Sequence, residues 1–226
     1  MRKSKTPAWL QFPFTVAIRS AMTPALAIGL EPAMGIARAL GHLVPRFQQH
    51  RFQRAIDNLT VAFPDWPAEK VNEYALKSYQ HLFQLGVEIA YSPRLVTEEG
   101  FTRHLIFTKV QDSVRALLGD RPVILVSGHV GNWELIGYSI SMLGFPLHAV
   151  YRPFDLTPLD TWMRDTRERR GLTLVSKFGA YRALVPVLRA GGTVGLVADQ
   201  SGGDRGIFTP FFGRLPSTYK SVGLLA

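Results

Sequence analysis

The stretch RPVILVSGHVGNWELIG, from Arg121 to Gly137, decides how this chain folds. Residues 123–126 are a short, continuous, β-branched-rich run, which predicts a strand buried on both faces. Ser127-Gly128 breaks the run and His129 follows at once. Asn132 is placed to cap a helix that begins at Trp133-Glu134. The unit is therefore a strand, a glycine turn and a helix, with a histidine at the turn. Glu134 lies five positions after His129, and five steps round a regular helix leave two side chains on different faces. The two can meet only if His129 stays in the loop and Glu134 reaches back from the first turn. A loop histidine backed by a carboxylate is a general-base arrangement. The alternative is a turn histidine beside a glutamate that complements the helix dipole.

Outward from this unit the pattern repeats. Strand-like runs at 123–126, 147–151, 172–175 and 193–198 alternate with helical segments at 133–143, 158–170 and 180–190. Gly144, Gly171 and Gly191 stand just beyond the helical segments, where a left-handed cap is expected. The fold class is α/β, a largely parallel sheet sandwiched by helices. In open α/β sheets ligands bind at the carboxyl ends of the strands. The residues there are His129, Arg152, Ser176-Lys177 and Asp199-Gln200. Four consecutive units thus deliver a histidine, two cations and a carboxylate to one rim, a convergence that favours a catalytic His129 over a solvated face. Arg152 and Lys177 suit phosphate or another anion.

Upstream the composition changes. From Met1 to Arg54 the basic residues are Arg2, Lys3, Lys5, Arg19, Arg38, Arg46, Arg51 and Arg54, against the single acid Glu31. Between them runs LQFPFTVAIRSAMTPALAIGL, apolar but interrupted by Pro13, Arg19 and Pro24, a poor match to a signal peptide. Residues 1–54 read as a helical segment lying in a membrane interface, with arginines at anionic headgroups of a cytoplasmic leaflet. An ordinary amphipathic helix packed on the domain is the other reading. Residues 55–226 then form the α/β domain. FPDWPAEKV opens a helix with Pro67 in its first turn, and Val71, Ala75, Tyr79, Leu82 and Gly86 mark one face of it. A further helix is expected over 109–118.

The whole chain has 226 residues, 46% hydrophobic and 19% charged, with a formal net charge of +9. That balance is globular and calls for an anionic partner or surface. There is no cysteine, which excludes disulfides, a cysteine nucleophile and thiolate metal sites. One loop histidine and one glutamate do not make a zinc site, and no G-x-S-x-G elbow is present. No recognition helix or aromatic RNA motif supports a nucleic-acid partner. In the mixed-sign run 164–170, only Arg164 and Arg170 are candidate ligand contacts; the rest reads as exposed helix with local ion pairs.

These residues resemble a known family. His129-Val130-Gly131-Asn132-Trp133-Glu134 is similar to the H-x4-D/E motif of glycerolipid acyltransferases, and its Gly-Asn-Trp-Glu form to the lipid A biosynthesis acyltransferases. The resemblance continues in Tyr151-Arg152-Pro153, Arg170-Gly171, Val197-Ala198-Asp199-Gln200 and Phe211-Phe212-Gly213, with Asn58-Leu59 and Glu88 as weaker matches. It implies transfer of a fatty acyl chain from an acyl carrier protein or coenzyme A thioester to a hydroxyl of a membrane glycolipid, with no further cofactor. It implies catalytic roles for His129 and Glu134. Arg152 and Asp199 take supporting roles, and Asn132, Arg164, Lys177 and Gln200 complete the expected substrate-binding set. It also implies a peripheral or monotopic enzyme on the cytoplasmic face of the inner membrane, meeting an acidic carrier protein and a phosphorylated acceptor. Without a cysteine, direct attack of the acceptor hydroxyl is simpler than an acyl-enzyme route, and amides of the glycine turn are candidate oxyanion donors. The family continues beyond the Phe-Phe-Gly block, so the apolar run Ser221 to Ala226 reads as a domain cut short. A truncated relative that keeps the fold as a non-catalytic membrane or interaction protein is the competing expectation.

Overall fold

The amino-terminal third is helical. Helices α1 (Ala8–Ala27), α2 (Leu30–His42), α3 (Val44–Phe47) and α4 (Gln49–Ala62) lead to the long α5 (Ala68–Leu95) and the short α6 (Gln111–Leu117). This computed structural model describes residues 7–168 and 171–226. Arg2, Lys3, Lys5 and Arg170, named above as candidate contacts, lie outside the described residues. The chain packs as two compact units. One takes in the described residues up to Met22, Ser92–Gln200 and Tyr219–Ala226; the other takes in Thr23–Tyr91 and Ser201–Thr218.

In the second unit, α5 starts directly after Pro67, whose carbonyl accepts from Val71 N at 3.1 Å. Val71, Ala75, Leu85 and Tyr91 are its buried hydrophobic residues. Leu82, expected on that face, is 53% exposed. By helical phase Leu82 lies within about 20° of Val71, so its exposure reflects what covers that stretch of the helix and not its spacing, and Leu85 is the buried residue there. Helix α2 crosses α5 closely: a Cβ on Gly41 would stand 2.5 Å from Gln80 Cα, so only glycine fits there. A small antiparallel ribbon, β5 (Ile207–Phe208) with β6 (Ser217–Thr218), belongs to the same unit.

The first unit holds the sheet. Strands β1 (Val123–Ser127), β2 (Leu147–Tyr151), β3 (Leu172–Ser176) and β4 (Thr193–Val197) are all parallel, in the order β1-β4-β2-β3. Helices α7 (Trp133–Met142), α8 (Thr157–Glu168) and α9 (Ala180–Arg189) connect them, and α10 (Ser221–Leu225) packs against α9. Gly144, Gly171 and Gly191 have φ of 91°, 86° and 79°, the left-handed stops that the spacing predicted.

Alternation along the strands sorts the core into two layers. Leu147, Leu172 and Leu174 face one way with Leu125, Ala149 and Tyr151, and Ile140 of α7 packs on them. Val194 and Leu196 face the other way with Ile124, Val150 and Val175, under Leu184 and Val187 of α9 and Val222 and Leu225 of α10. In the sheet another expectation changes. The 123–126 run does not lie buried on both faces, for Val126 is 55% exposed. The reason is position: β1 is an edge of this four-stranded sheet. Helix α1 joins the same unit through α8, where Gln11 Oε1 accepts from Thr157 N at 3.3 Å and the Arg19 guanidinium lies 5.1 Å from the Trp162 ring centroid.

Candidate active site

Strand order dictates what meets at the carboxyl rim. Because β4 lies next to β1, with Ser127 opposite Val197, the two chains leave the sheet side by side. Ala198 N donates to Ser127 O at 2.9 Å and extends the ladder one step past the strands. The next residues, Gly128-His129 and Asp199, are thereby brought face to face.

His129 and Asp199 make a two-point clamp. His129 Nδ1 stands 2.6 Å from Asp199 Oδ1, and the His129 backbone N–H donates to Oδ2 at 2.7 Å. Burial by itself raises the pKa of the Asp199 carboxyl. The hydrogen bonds from the His129 ring and backbone, with the ring's charge, outweigh burial and hold the carboxyl below its ordinary value. An ionised carboxylate only accepts, so Nδ1 carries a proton, and in the neutral imidazole Nε2 presents the lone pair. On that side Gln200 Nε2 lies 3.2 Å away. Trp133 meets the imidazole edge-on, with ring centroids 4.6 Å apart. The sequence pattern did not single out Trp133 as a wall of the site, although its position at the start of the capped helix, next to the glycine turn, is a usable signal.

Glu134 is placed differently from the expectation that it backs His129. Its Oε1 accepts from Arg167 Nη2 of α8 at 2.8 Å, with the two side chains only 28% and 15% exposed. The carboxylate that orients the histidine arrives from β4 across the sheet, not from five residues downstream. In the first turn of α7, Glu134 instead faces the helix that returns alongside. Asn132 does cap α7, its Oδ1 accepting from Leu135 N at 3.2 Å.

The cations divide. Arg152 and Lys177 follow β2 and β3 as expected, both exposed, and Lys177 N donates to Tyr151 O at 2.8 Å. Adjacent strands lie about 4.8 Å apart, so β2 is two steps from β1 and β3 is three, about 14 Å along the rim. Arg164 is not free at the rim. It pairs with Glu168 at 3.2 Å and lies 6.0 Å from the Tyr151 ring centroid, while Glu168 Oε1 also accepts from Leu174 N at 3.0 Å. The hydrogen bond that Arg164 donates to Glu168 raises the guanidinium pKa. Tyr151 donates to Asp160 Oδ2 at 3.1 Å, and burial, followed by that carboxylate, pushes its phenol up. Arg167 escaped the sequence reading, which took its segment for exposed helix. Its spacing of three from Arg164, on the inward side of α8, is the signal that could have found it.

A histidine with one nitrogen tied to a carboxylate and the other facing only the Gln200 carboxamide can take a proton from a hydroxyl that displaces that contact. The family model described as bacterial lipid A biosynthesis acyltransferase matches residues 9–226. No curated protein matches the chain. Among the described residues, no helix is long and apolar enough to cross a membrane.

Proposed function

This chain belongs to the bacterial lipid A biosynthesis acyltransferase family and is an acyltransferase, and from that premise we propose that it moves a fatty acyl group from a carrier thioester to a hydroxyl of a phosphorylated glycolipid precursor of lipid A. The single observation that carries the reading is the clamp of His129 by Asp199, which leaves Nε2 as the base. The acceptor O–H gives its proton to Nε2 as its oxygen attacks the thioester carbonyl. The new C–O bond forms, the C–S bond breaks, and the proton passes from the imidazolium to the departing thiolate. Asp199 keeps the tautomer and stabilises the imidazolium. The His129 amide is committed to Asp199, so the reading assigns the oxyanion to amides further round the glycine turn. Arg152 and Lys177 are the proposed phosphate contacts, supported by their exposure on neighbouring strand ends. Glu134 serves through Arg167, as a charged pair beside the base.

The donor is read as an acyl carrier protein or coenzyme A thioester. The basic chain suits either an acidic carrier or an anionic headgroup. Residues 1–54 are read as the membrane-interface segment, on the cytoplasmic face of the inner membrane. Trp9 and Phe12 of α1, 75% and 68% exposed, support that reading as apolar side chains available to lipid. The test is acyl transfer from an acyl carrier protein thioester to a lipid A precursor by wild type and His129→Ala, with folding matched by circular dichroism. Loss of transfer in the variant is expected; wild-type turnover would remove His129 as the base.

A further inference from the structure

Resting on the reading of His129 as the base, we propose that Gln200 is a positioning residue whose carboxamide caps the basic nitrogen between turnovers, so that the acceptor hydroxyl must displace it to be activated. Both oxygens of Asp199 are taken by His129, one by Nδ1 at 2.6 Å and one by the backbone N–H at 2.7 Å. The ring therefore offers its lone pair at Nε2, and Gln200 Nε2 donates to it at 3.2 Å. The opposite amide orientation would set a carbonyl oxygen against that lone pair, which is repulsive. At 3.2 Å the bond is at the long end of the range, as suits a cap that exchanges for a hydroxyl.

Three features make Gln200 separable from the rest of the site. It follows Asp199 directly, so its backbone is anchored at the end of β4. Its side chain is exposed and has torsions with which to swing aside. His129 does not need it for orientation, because the clamp to Asp199 and the edge contact with Trp133 hold the ring. A capped base also has a chemical use. A bare Nε2 beside a thioester would activate water as readily as a lipid hydroxyl, wasting the donor by hydrolysis.

The cap is tested without an acyl-transfer assay, by the rate at which diethyl pyrocarbonate acylates His129 at fixed pH, followed by mass spectrometry of its peptide. The full chain is compared with Gln200→Ala, which removes the cap, and Gln200→Met, which keeps its volume but cannot donate. Both variants should acylate at His129 about two- to tenfold faster, the range set by loss of one ordinary hydrogen bond. The rates at His42, His50, His81, His104 and His148 should stay level, reporting an unchanged fold. A wild-type rate at His129 in both variants overturns the proposal. So does a wild-type rate in Gln200→Met with a fast Gln200→Ala, since bulk and not hydrogen bonding would then be the cover. In acyl transfer, Gln200→Ala should lower the acceptor KM by a similar factor, and a raised KM counts against the cap. Failure of the base is read separately, from His129→Ala.

Discussion

Gly128 and Asp199 lie close together: a Cβ on Gly128 would stand 3.0 Å from Asp199 Oδ2 and 3.4 Å from its Cγ. That oxygen is not a loose end, since it accepts from the His129 backbone N–H at 2.7 Å. The glycine before the histidine therefore serves the carboxylate on the neighbouring strand as well as the turn. Gly128→Ala should make Asp199 give by a few tenths of an ångström against His129 and lower kcat several-fold, with a smaller effect on stability. Steady-state acyl transfer together with thermal melting separates the two, and a variant with wild-type kcat would show that the carboxylate yields without loss.

Removing the proposed base should cost most. His129→Ala is expected to lower acyl transfer by about 10²–10⁴-fold, the usual contribution of general acid–base catalysis. Asp199→Asn should lie below that loss but well under wild type, because the imidazole remains while its tautomer and charge partner are gone. If Asp199→Asn transfers acyl groups at the wild-type rate, the clamp is structural only.

The same carboxylate predicts an acid effect on stability. Asp199 has its pKa depressed in the folded chain, burial being outweighed by the His129 hydrogen bonds. A depressed carboxylate stabilises the fold above its unfolded value, and the contribution is lost as pH falls through the folded value. The stability gap between wild type and Asp199→Asn should thus be full at about pH 5 and shrink toward about pH 3. Urea unfolding at both pH values reads the gap; one that widens on acidification contradicts the sign.

Glu134 and Arg167 form the better-buried ion pair of the site, at 2.8 Å. Removing one partner strands the other, so Glu134→Gln and Arg167→Ala should each destabilise by about 1–3 kcal/mol, below the cost for a fully buried pair. The double variant should lose less than the sum of the two. Denaturant unfolding of the three variants gives the coupling, and strict additivity would mean the contact contributes nothing.

Helix α1 predicts a membrane contact. Trp9→Glu with Phe12→Glu, in the full chain, should reduce co-sedimentation with phosphatidylglycerol vesicles by several-fold without changing the circular dichroism spectrum. Equal binding by wild type and variant would place the membrane contact elsewhere.

Much of the sheet was legible because its cues are local. β2 runs over the residues that alternation and flanking glycines marked, and α7 begins where Asn132 was expected to cap it. Local cues also placed His129 in its turn. They misled at Val126, whose apolar run has the same composition in an edge strand as in a central one. They misled at Leu82 too, which shares the face of Val71 by phase yet is exposed, because burial depends on what packs against each stretch of the helix.

By itself, then, the sequence determined the strand–helix periodicity, the glycine stops, and the set of residues delivered to the carboxyl rim. Each depends on backbone preference or spacing within one element. Only the tertiary structure decided which of those residues are neighbours. Asp199 reaches His129, 70 positions away, because β4 pairs with β1 in parallel register. Glu134, five positions away, turns to Arg167 because α8 lies beside it. Strand order is fixed by how the apolar faces of all the elements pack together, and no local stretch carries that information.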